Sequence, residues 1–411
     1  MCQVASSLHG KTVVVGVCGG IAAYKAAHVV RGLRAAGATV HVIPTPSSLE
    51  FVGRATWEAL SGNPVHTGVF EAVDSVAHVN LGKQADLVLV APATADFLAR
   101  HRQGRCEDML SAALLVATCP VAMFPAMHTE MWQHPATVEN VGVLRERGVL
   151  LPDPDSGSLT GADTGPGRLS DPEAIVAFAR AAISAKPRDL AGKRILISAG
   201  GTREALDPVR FIGNHSSGKQ GFALANAASV RGAEVTLVAA NVSLPTPCGV
   251  RRIDVTSAAE LAETVHRESA HHDAVVMAAA VADFAPAGAA ASKIKKTPGE
   301  DTFTLALQTT QDVLRTLVTT RGKRSAPVIV GFAAETGDGE KDALAFAREK
   351  ARRKGADLLV ANDVSRGVFG SDDNRVHILD TVGELLASGE GSKETVSHLL
   401  LDRVSEIMNN G

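Results

Sequence analysis

The residues best suited to chemistry sit in short clusters, each close behind an apolar run. The first is GVCGGIAAYK, where Gly16, Gly19 and Gly20 let the backbone turn tightly and the following helix offers free N–H groups to an anion. A phosphate-bearing cofactor suits such a loop. The plainer alternative is a Gly-Gly turn that only permits close helix–sheet packing. The loop is not G-x-G-x-x-G, and His41, Val42 and Ile43 lead into Pro44 with no acidic residue to hold a ribose, which argues against NAD. Three further clusters follow: His78 in AHVNL, APATAD at Ala91 to Asp96, and PAMHTEMW at Pro125 to Trp132. The last two follow strand patterns, and ligands of open α/β sheets lie at the carboxyl ends of strands. His78 is one of 14 histidines. Alone it reads as a surface or satisfied core residue, and only its company singles it out.

The second half carries its own set. NHSSGK, Asn214 to Lys219, approaches a phosphate-binding P-loop but fails it, because Gln220 rather than Ser or Thr follows Lys219. Ser216, Ser217 and Gly218 ahead of a helix still make an anion cradle, or merely an N-cap. Asp283, directly after AVVMAAAVA, is an acidic residue at a strand's carboxyl end, a place for Mg²⁺. KIKK, Lys293 to Lys296, lies in a Pro/Gly/Ala-rich loop. Such a run is either solvated surface or, beside Asp283, a set of cations for a triphosphate.

These clusters need strands and helices to hold them, and the pattern supplies both. Strand-like runs at Thr12 to Val17, Thr39 to Pro44, Leu87 to Val90 and Val121 to Phe124 alternate with helical stretches at Ile21 to Ala36, Phe51 to Leu60 and Pro172 to Ala185. Short runs of this kind flanked by turn signals read as buried parallel strands. AKPRDLAGK then breaks the periodicity and marks a boundary. The rhythm restarts at Lys193: strands at Arg194 to Ser198, Glu234 to Ala239, Ala274 to Ala278, Val328 to Phe332 and Asp357 to Val360, with helices near Gly221 to Arg231 and Lys341 to Lys354. The fold class is therefore α/β, two doubly wound Rossmann-like domains, residues 1–185 and 193–411 joined by a linker at 186–192.

The chain has 411 residues, 45% apolar and 21% charged, which suits two cores better than one. A net charge of -3 and a pI near 6.5 give no global reason to expect nucleic acid or an anionic membrane as partner. The start MCQVASSLHGKT lacks a basic-then-apolar leader, and no apolar run is long enough to span a bilayer, so the expectation is a cytoplasmic protein. Its cysteines, Cys2, Cys18, Cys106, Cys119 and Cys248, form no C-x-x-C pair, which speaks against a disulfide framework or structural zinc.

Taken in order, GGIAAYK, AHVNL, APATAD, PAMHTEMW and PDSGSLTGADTGPGR resemble the flavin-dependent cysteine decarboxylases that act on phosphopantothenoylcysteine. AGGTREALDPVRFIGNHSSGKQG, AAAVADF, KIKK, VGFAAET and ANDV resemble phosphopantothenate-cysteine ligase. The ordered set covers nearly the whole chain and is similar to the fused bacterial enzyme of coenzyme A biosynthesis. The resemblance implies a flavodoxin-like flavoprotein domain followed by a nucleotide-binding ligase domain. It also implies two reactions. CTP drives ligation of L-cysteine to 4'-phosphopantothenate through an acyl-cytidylate, and FMN-dependent decarboxylation then gives 4'-phosphopantetheine. In the second, oxidation of the thiol to a thioaldehyde makes an electron sink, carbon dioxide leaves, and hydride returns to the enethiol.

Carried over by position, the resemblance assigns Gly19, Gly20, Ile21, Thr45, Ser47, Ala91, Pro92, Ala93 and Thr94 to FMN and makes His78 catalytic. It makes Asn214 and Lys293 catalytic in ligation, with Arg210 and Asn214 toward substrate. Ser216, Ser217, Gly218, Lys219, Ala279, Ala280, Asp283, Lys293, Phe332, Lys350 and Lys354 fall to the nucleotide, with Mg²⁺ on Asp283. For Lys350 and Lys354 the alternative is an ordinary solvated helix face, and for Arg210 a subunit contact. Two positions depart from the pattern. His128, counted with the catalytic residues, stands where the family has asparagine and can hydrogen-bond a substrate carboxylate with a different reach, and Gly161 stands where some relatives carry a flap cysteine. A ligase with a catalytically impaired flavin-binding domain is therefore the alternative reading, and a nicotinamide-dependent reductase a more distant one. Trimeric decarboxylase and dimeric ligase contacts in one chain imply a homo-oligomer, up to a dodecamer.

Overall fold

The computed structural model describes residues 8–68, 77–159, 163–186, 188–295, 302–335, 343–363 and 373–410. The chain divides into two compact units. Met1–Arg188 belong to the first, with Ser229–Arg231 and Pro247–Gly249; the second takes Asp189–Ala228, Gly232–Thr246 and Val250–Gly411.

The first unit runs β1 Thr12–Val17, α1 Ala23–Ala35, β2 Thr39–Pro44, α2 Arg54–Ser61, α3 Ala77–Gln84, β3 Leu87–Ala93, α4 Ala95–Gln103, α5 Met109–Val116 and β4 Val121–Pro125. Next come α6 Thr129–Gln133, α7 Pro135–Glu146, the hairpin β5 Asp155–Ser158 with β6 Thr164–Arg168, and α8 Pro172–Ser184. Its main sheet is all parallel in the order β2-β1-β3-β4. Successive strand side chains point to opposite faces, so Val13 and Val15 join Trp57, Leu87, Leu89 and Phe178 on one side, while Val14, Val88 and Val90 join Phe97, Leu110 and Met123 on the other. Helices cover both faces, which is why every residue of β3 is buried and the strand reads as an unbroken apolar run.

The second unit has β7 Arg194–Gly200, β8 Arg203–Ala205, β9 Phe211–Gly213, α9 Lys219–Val230, β10 Glu234–Ala240, β11 Val250–Val255, α10 Ala258–Ser269 and β12 Ala274–Met277. It continues with β13 Phe284–Pro286, β14 Leu307–Thr309, α11 Val313–Arg321, β15 Val328–Glu335, α12 Ala343–Lys354 and β16 Leu358–Asp363. It ends with β17 Asp373–Leu379, β18 Leu385–Ser392 and α13 Lys393–Asn410. The sheet order is β11-β10-β7-β12-β15-β16-β17-β18. The first six strands are parallel and the last two antiparallel. Its two faces again divide by alternation, Ile195, Ile197, Val235 and Leu237 against Leu196, Val238 and Val275.

Both units are doubly wound α/β domains, as the rhythm of the sequence requires. Local differences have local causes. The helix expected from Ile21 starts at Ala23, because Gly20 to Ala22 form a turn in which Ala23 N donates to Gly20 O over 2.9 Å. The stretch expected as one helix from Phe51 starts at Arg54, since Gly53 is extended, and a short 3-10 turn at Pro46–Glu50 precedes it. No described helix is long and apolar enough to cross a membrane.

Candidate active sites

In the first sheet the chain leaves β1 for β2 on one side and then crosses to β3 on the other. Between β1 and β3 lies the crevice where an open α/β sheet takes its ligand. The loops that border it contain the predicted cluster. Cys18 N donates to Pro92 O at 3.2 Å and Thr45 N to Val17 O at 2.9 Å, so the ends of β1, β2 and β3 are laced together. A Cβ on Gly19 would lie 2.4 Å from Ser47 Oγ and 2.7 Å from its Cβ, so only glycine lets these two loops close. The Thr45 and Ser47 hydroxyls stand 3.2 Å apart, and Gly20 faces the Thr94 methyl. Thr94 Oγ1 accepts from Phe97 N and caps α4. The start of α1 has no such cap, because Ala22 offers no side-chain oxygen. Two of its first-turn donors are nonetheless used within the chain, Ala23 N on Gly20 O and Lys25 N on Ala22 O. Ile21 is exposed at the rim.

The fourth strand end is joined as well. Ala126 N donates to Ala93 O at 3.1 Å and Met127 N to Gly167 O at 3.0 Å, placing the PAMH segment between β3 and the β5–β6 hairpin. Gly167 has φ +148, and a Cβ there would lie 2.2 Å from Met127 O, so the hairpin's glycine permits this approach. His128 is exposed, with Nδ1 3.6 Å from Asp163 Oδ2. His78 is the second residue of α3; its side chain, like all of Gly161, lies outside the described residues.

In the second sheet the reversal falls between β7 and β12. Here Ala280 N donates to Gly200 O at 2.8 Å, Thr202 N to Ala280 O at 3.2 Å, and Ala282 N to Thr202 Oγ1 at 3.0 Å. Ser198 Oγ accepts from Ala279 N. Asn214 Nδ2 donates to Val281 O at 3.0 Å, and a Cβ on Gly201 would collide with Asn214 O. Asn214, Ala279, Ala280 and Asp283 are thereby gathered at one crevice. Ser216 Oγ accepts from Gly218 N across a turn just ahead of α9, with Gly218 at φ +73, and Ser217 and Lys219 flank it. Asp283 is exposed, and its carbonyl accepts from Thr310 N. No group of three His, Cys, Asp or Glu side chains fit to hold a metal occurs among the described residues.

The cationic residues divide. Lys293 is exposed, while its neighbour Ile294 is gripped by Asp207 and Arg210. Lys296 lies outside the described residues. Lys354 pairs with Asp312 at 2.5 Å, two residues beyond Thr310, whose hydroxyl donates to Ala282 O. Burial opposes ionisation of Asp312, yet the lysine and the Arg315 N–H outweigh it and lower its pKa. Phe332 is half-buried against the core next to Val360, and Lys350 is half-buried on α12. Sequence reasoning passed over Ser198, Thr202 and Asp207, since a hydroxyl after a strand and an Asp-Pro turn read as ordinary turn chemistry.

The family described as DNA/pantothenate metabolism flavoprotein C-terminal domain matches residues 190–408, and the Flavoprotein family matches residues 2–184. Coenzyme A biosynthesis bifunctional protein CoaBC of Mycolicibacterium smegmatis is 52% identical over 406 residues, covering 97% of this chain and 98% of that protein. The chain belongs to the CoaBC family. Its likeness extends to the CoaBC protein of Vibrio parahaemolyticus, 44% identical over 98% of this chain and all of that one. Among solved structures, the C-terminal domain of a CoaBC protein is 34% identical with a TM-score of 0.45, covering 55% of this chain and all of that one. A PPC decarboxylase complexed with pantothenoylaminoethenethiol is 26% identical with a TM-score of 0.39, covering 41% and 96%.

Proposed function

We propose that this CoaBC family member carries out both steps that its relatives' name joins, with residues 1–185 as decarboxylase and residues 193–411 as ligase. What supports this is that each of the two sheets has its own point of strand-order reversal, and that one family matches each half of the chain. In the ligase half, 4'-phosphopantothenate is activated by CTP and then captured by the amine of L-cysteine. Lys293 faces the triphosphate, and Asn214, fixed on Val281 O, orients the activated acyl group for attack. The Ser216 to Lys219 turn and Ala279–Ala280 take phosphates through N–H donors, while Phe332, Lys350 and Lys354 lie toward the nucleotide. Mg²⁺ fits a site with one carboxylate, Asp283, because this ion is commonly held by one or two carboxylates together with substrate phosphates.

The first crevice fits FMN. The approach of Gly19 to Ser47 leaves no room for a side chain between the two loops that border it. Gly19, Gly20, Ile21, Thr45, Ser47 and Ala91 to Thr94 would hold it. Bound FMN supplies the two-electron acceptor that oxidises the cysteine-derived thiol and returns the electrons afterwards. His78 moves the proton of that thiol. His128 orients the carboxylate that leaves, with an imidazole where the family has an asparagine amide. Subunits complete these sites in a cytoplasmic homo-oligomer built from trimeric and dimeric contacts. The test is pyrophosphate release from CTP that requires both 4'-phosphopantothenate and Mg²⁺; release without either would refute the ligase assignment.

A further inference from the structure

The turn between β8 and β9 and the loop carrying Lys293 are 84 to 87 residues apart in sequence, yet they share one buried carboxylate. Asp207 is 4% exposed. Its Oδ1 accepts from Val209 N and Arg210 N, each at 2.8 Å, which closes the turn locally. Its Oδ2 accepts from Arg210 Nε at 3.0 Å, from Arg210 Nη2, and from Ile294 N at 3.1 Å. Arg210 Nη2 in turn donates to Ile294 O at 2.8 Å. The two peptide groups flanking Ile294 are thus gripped, one by its N–H and the next by its carbonyl. The first of them is the peptide plane that joins Lys293 to Ile294. A second backbone tie, Ala290 N to Leu206 O at 2.9 Å, holds the same loop on the same turn.

We propose that Asp207 is the positioning residue of the Lys293 loop: it holds the Lys293–Ile294 peptide while Arg210 holds the next one, and together they aim the lysine at the nucleotide. This rests on the reading of Lys293 given above. Nothing else that the carboxylate touches accounts for its third partner, since the β8–β9 turn is already closed by Oδ1 and by Leu206 N on Arg210 O. The hydrogen bonds from Arg210 keep the Asp207 carboxyl well below the usual carboxylate range despite its burial, so it stays an acceptor at any working pH. Arg210 is spent on this clasp from the turn side, through the same guanidinium nitrogen that reaches Ile294 O.

Asp207→Asn is the direct test. If the amide oxygen keeps the two turn N–H groups, its NH2 faces the Ile294 N–H and the guanidinium, donor against donor. Ile294→Pro breaks the clasp from the loop side, because proline has no N–H to give, and leaves the turn's own bonds intact. Both variants, Lys293→Gln and the double variant Asp207→Asn/Lys293→Gln are compared in the full-length protein. The reading is steady-state pyrophosphate release with 4'-phosphopantothenate, cysteine, CTP and Mg²⁺. An ill-aimed catalytic group costs on the order of 100-fold. We therefore expect Asp207→Asn and Ile294→Pro each to lower kcat by about that factor with KM for CTP little changed, and Asp207→Asn to cost nothing further once Lys293 is gone. Equal losses in both backgrounds, or an unchanged kcat in Ile294→Pro, would overturn the clasp's role. Full activity in Lys293→Gln would instead overturn the reading of Lys293 itself, and the clasp's purpose with it.

Discussion

Gly19 and Ser47 approach so closely that a methyl group on the glycine would meet the serine Oγ at 2.4 Å and its backbone carbonyl carbon at 3.0 Å. The contact joins the loop after β1 to the loop after β2, at the edge of the crevice proposed for FMN. Only part of the clash is with a movable side chain, so Gly19→Ala must push the loops apart. Overpacking of this kind costs about 1–3 kcal/mol, which is roughly fivefold to a hundredfold in cofactor affinity. The purified Gly19→Ala protein is expected to carry correspondingly less flavin by absorbance, with pyrophosphate release unchanged. Full flavin occupancy would remove the Gly19 loop from the cofactor site.

Two crevices in two separate sheets make separable activities. His78→Asn is expected to abolish carbon dioxide release from phosphopantothenoylcysteine while leaving ligation intact, and Lys293→Gln to do the reverse. Radiolabelled carbon dioxide and pyrophosphate assays on both variants check this. Parallel loss of both activities in either variant would argue against independent sites.

The thiols divide by burial. Desolvation pushes Cys18 up to about 12, and Cys248 is raised by the same cause, while Cys119 is half-buried and raised less far. Cys106 is exposed. Only thiolate alkylates, so among the described cysteines iodoacetamide at pH 8 is expected to label Cys106 first and to spare Cys18 and Cys248 until the chain unfolds. The linkage has the matching sign. The folded state holds the Cys18 proton more tightly than the unfolded chain does, so this contribution to stability is complete below the ordinary thiol range and is lost as the pH climbs toward about 12. Peptide mapping that found Cys18 labelled as fast as Cys106 in the folded protein would refute the burial.

Leu237 in β10 is fully buried among Ile195, Ile197 and Val235. Leu237→Ala removes its methyl groups and leaves a cavity, at a cost of about 2–5 kcal/mol. Denaturant unfolding followed on the ligase half should register a loss of that size. A change below about 0.5 kcal/mol, the scale of a surface substitution, would contradict its place in the core.

Much of this architecture is legible in the sequence because parallel strands buried on both faces are apolar without interruption. Thr12–Val17 and Leu87–Ala93 stand out on that ground alone. What the pattern hides is polar or brief. β17, DNRVHIL, and β18, LLASGEGS, form an antiparallel edge whose alternation is blurred by glycines and charges. The β8–β9 and β13–β14 pairs are three residues per strand, too short for any period. The crevice residues follow the same division. Asn214 and Asp283 were legible by motif and by position after a strand, whereas Asp207 looks like half of an Asp-Pro turn. Its meaning lies in Ile294, 87 residues away, and a contact at that separation leaves no local trace.

Whether one chain performs both ligation and decarboxylation is decided by mass spectrometry of the products that the purified protein forms from 4'-phosphopantothenate, L-cysteine, CTP and Mg²⁺. The expected product is 4'-phosphopantetheine, formed without any cysteine in the loop that contains Gly161. Accumulation of phosphopantothenoylcysteine with no loss of carbon dioxide would contradict it and leave the first domain a flavin-binding partner of an active ligase.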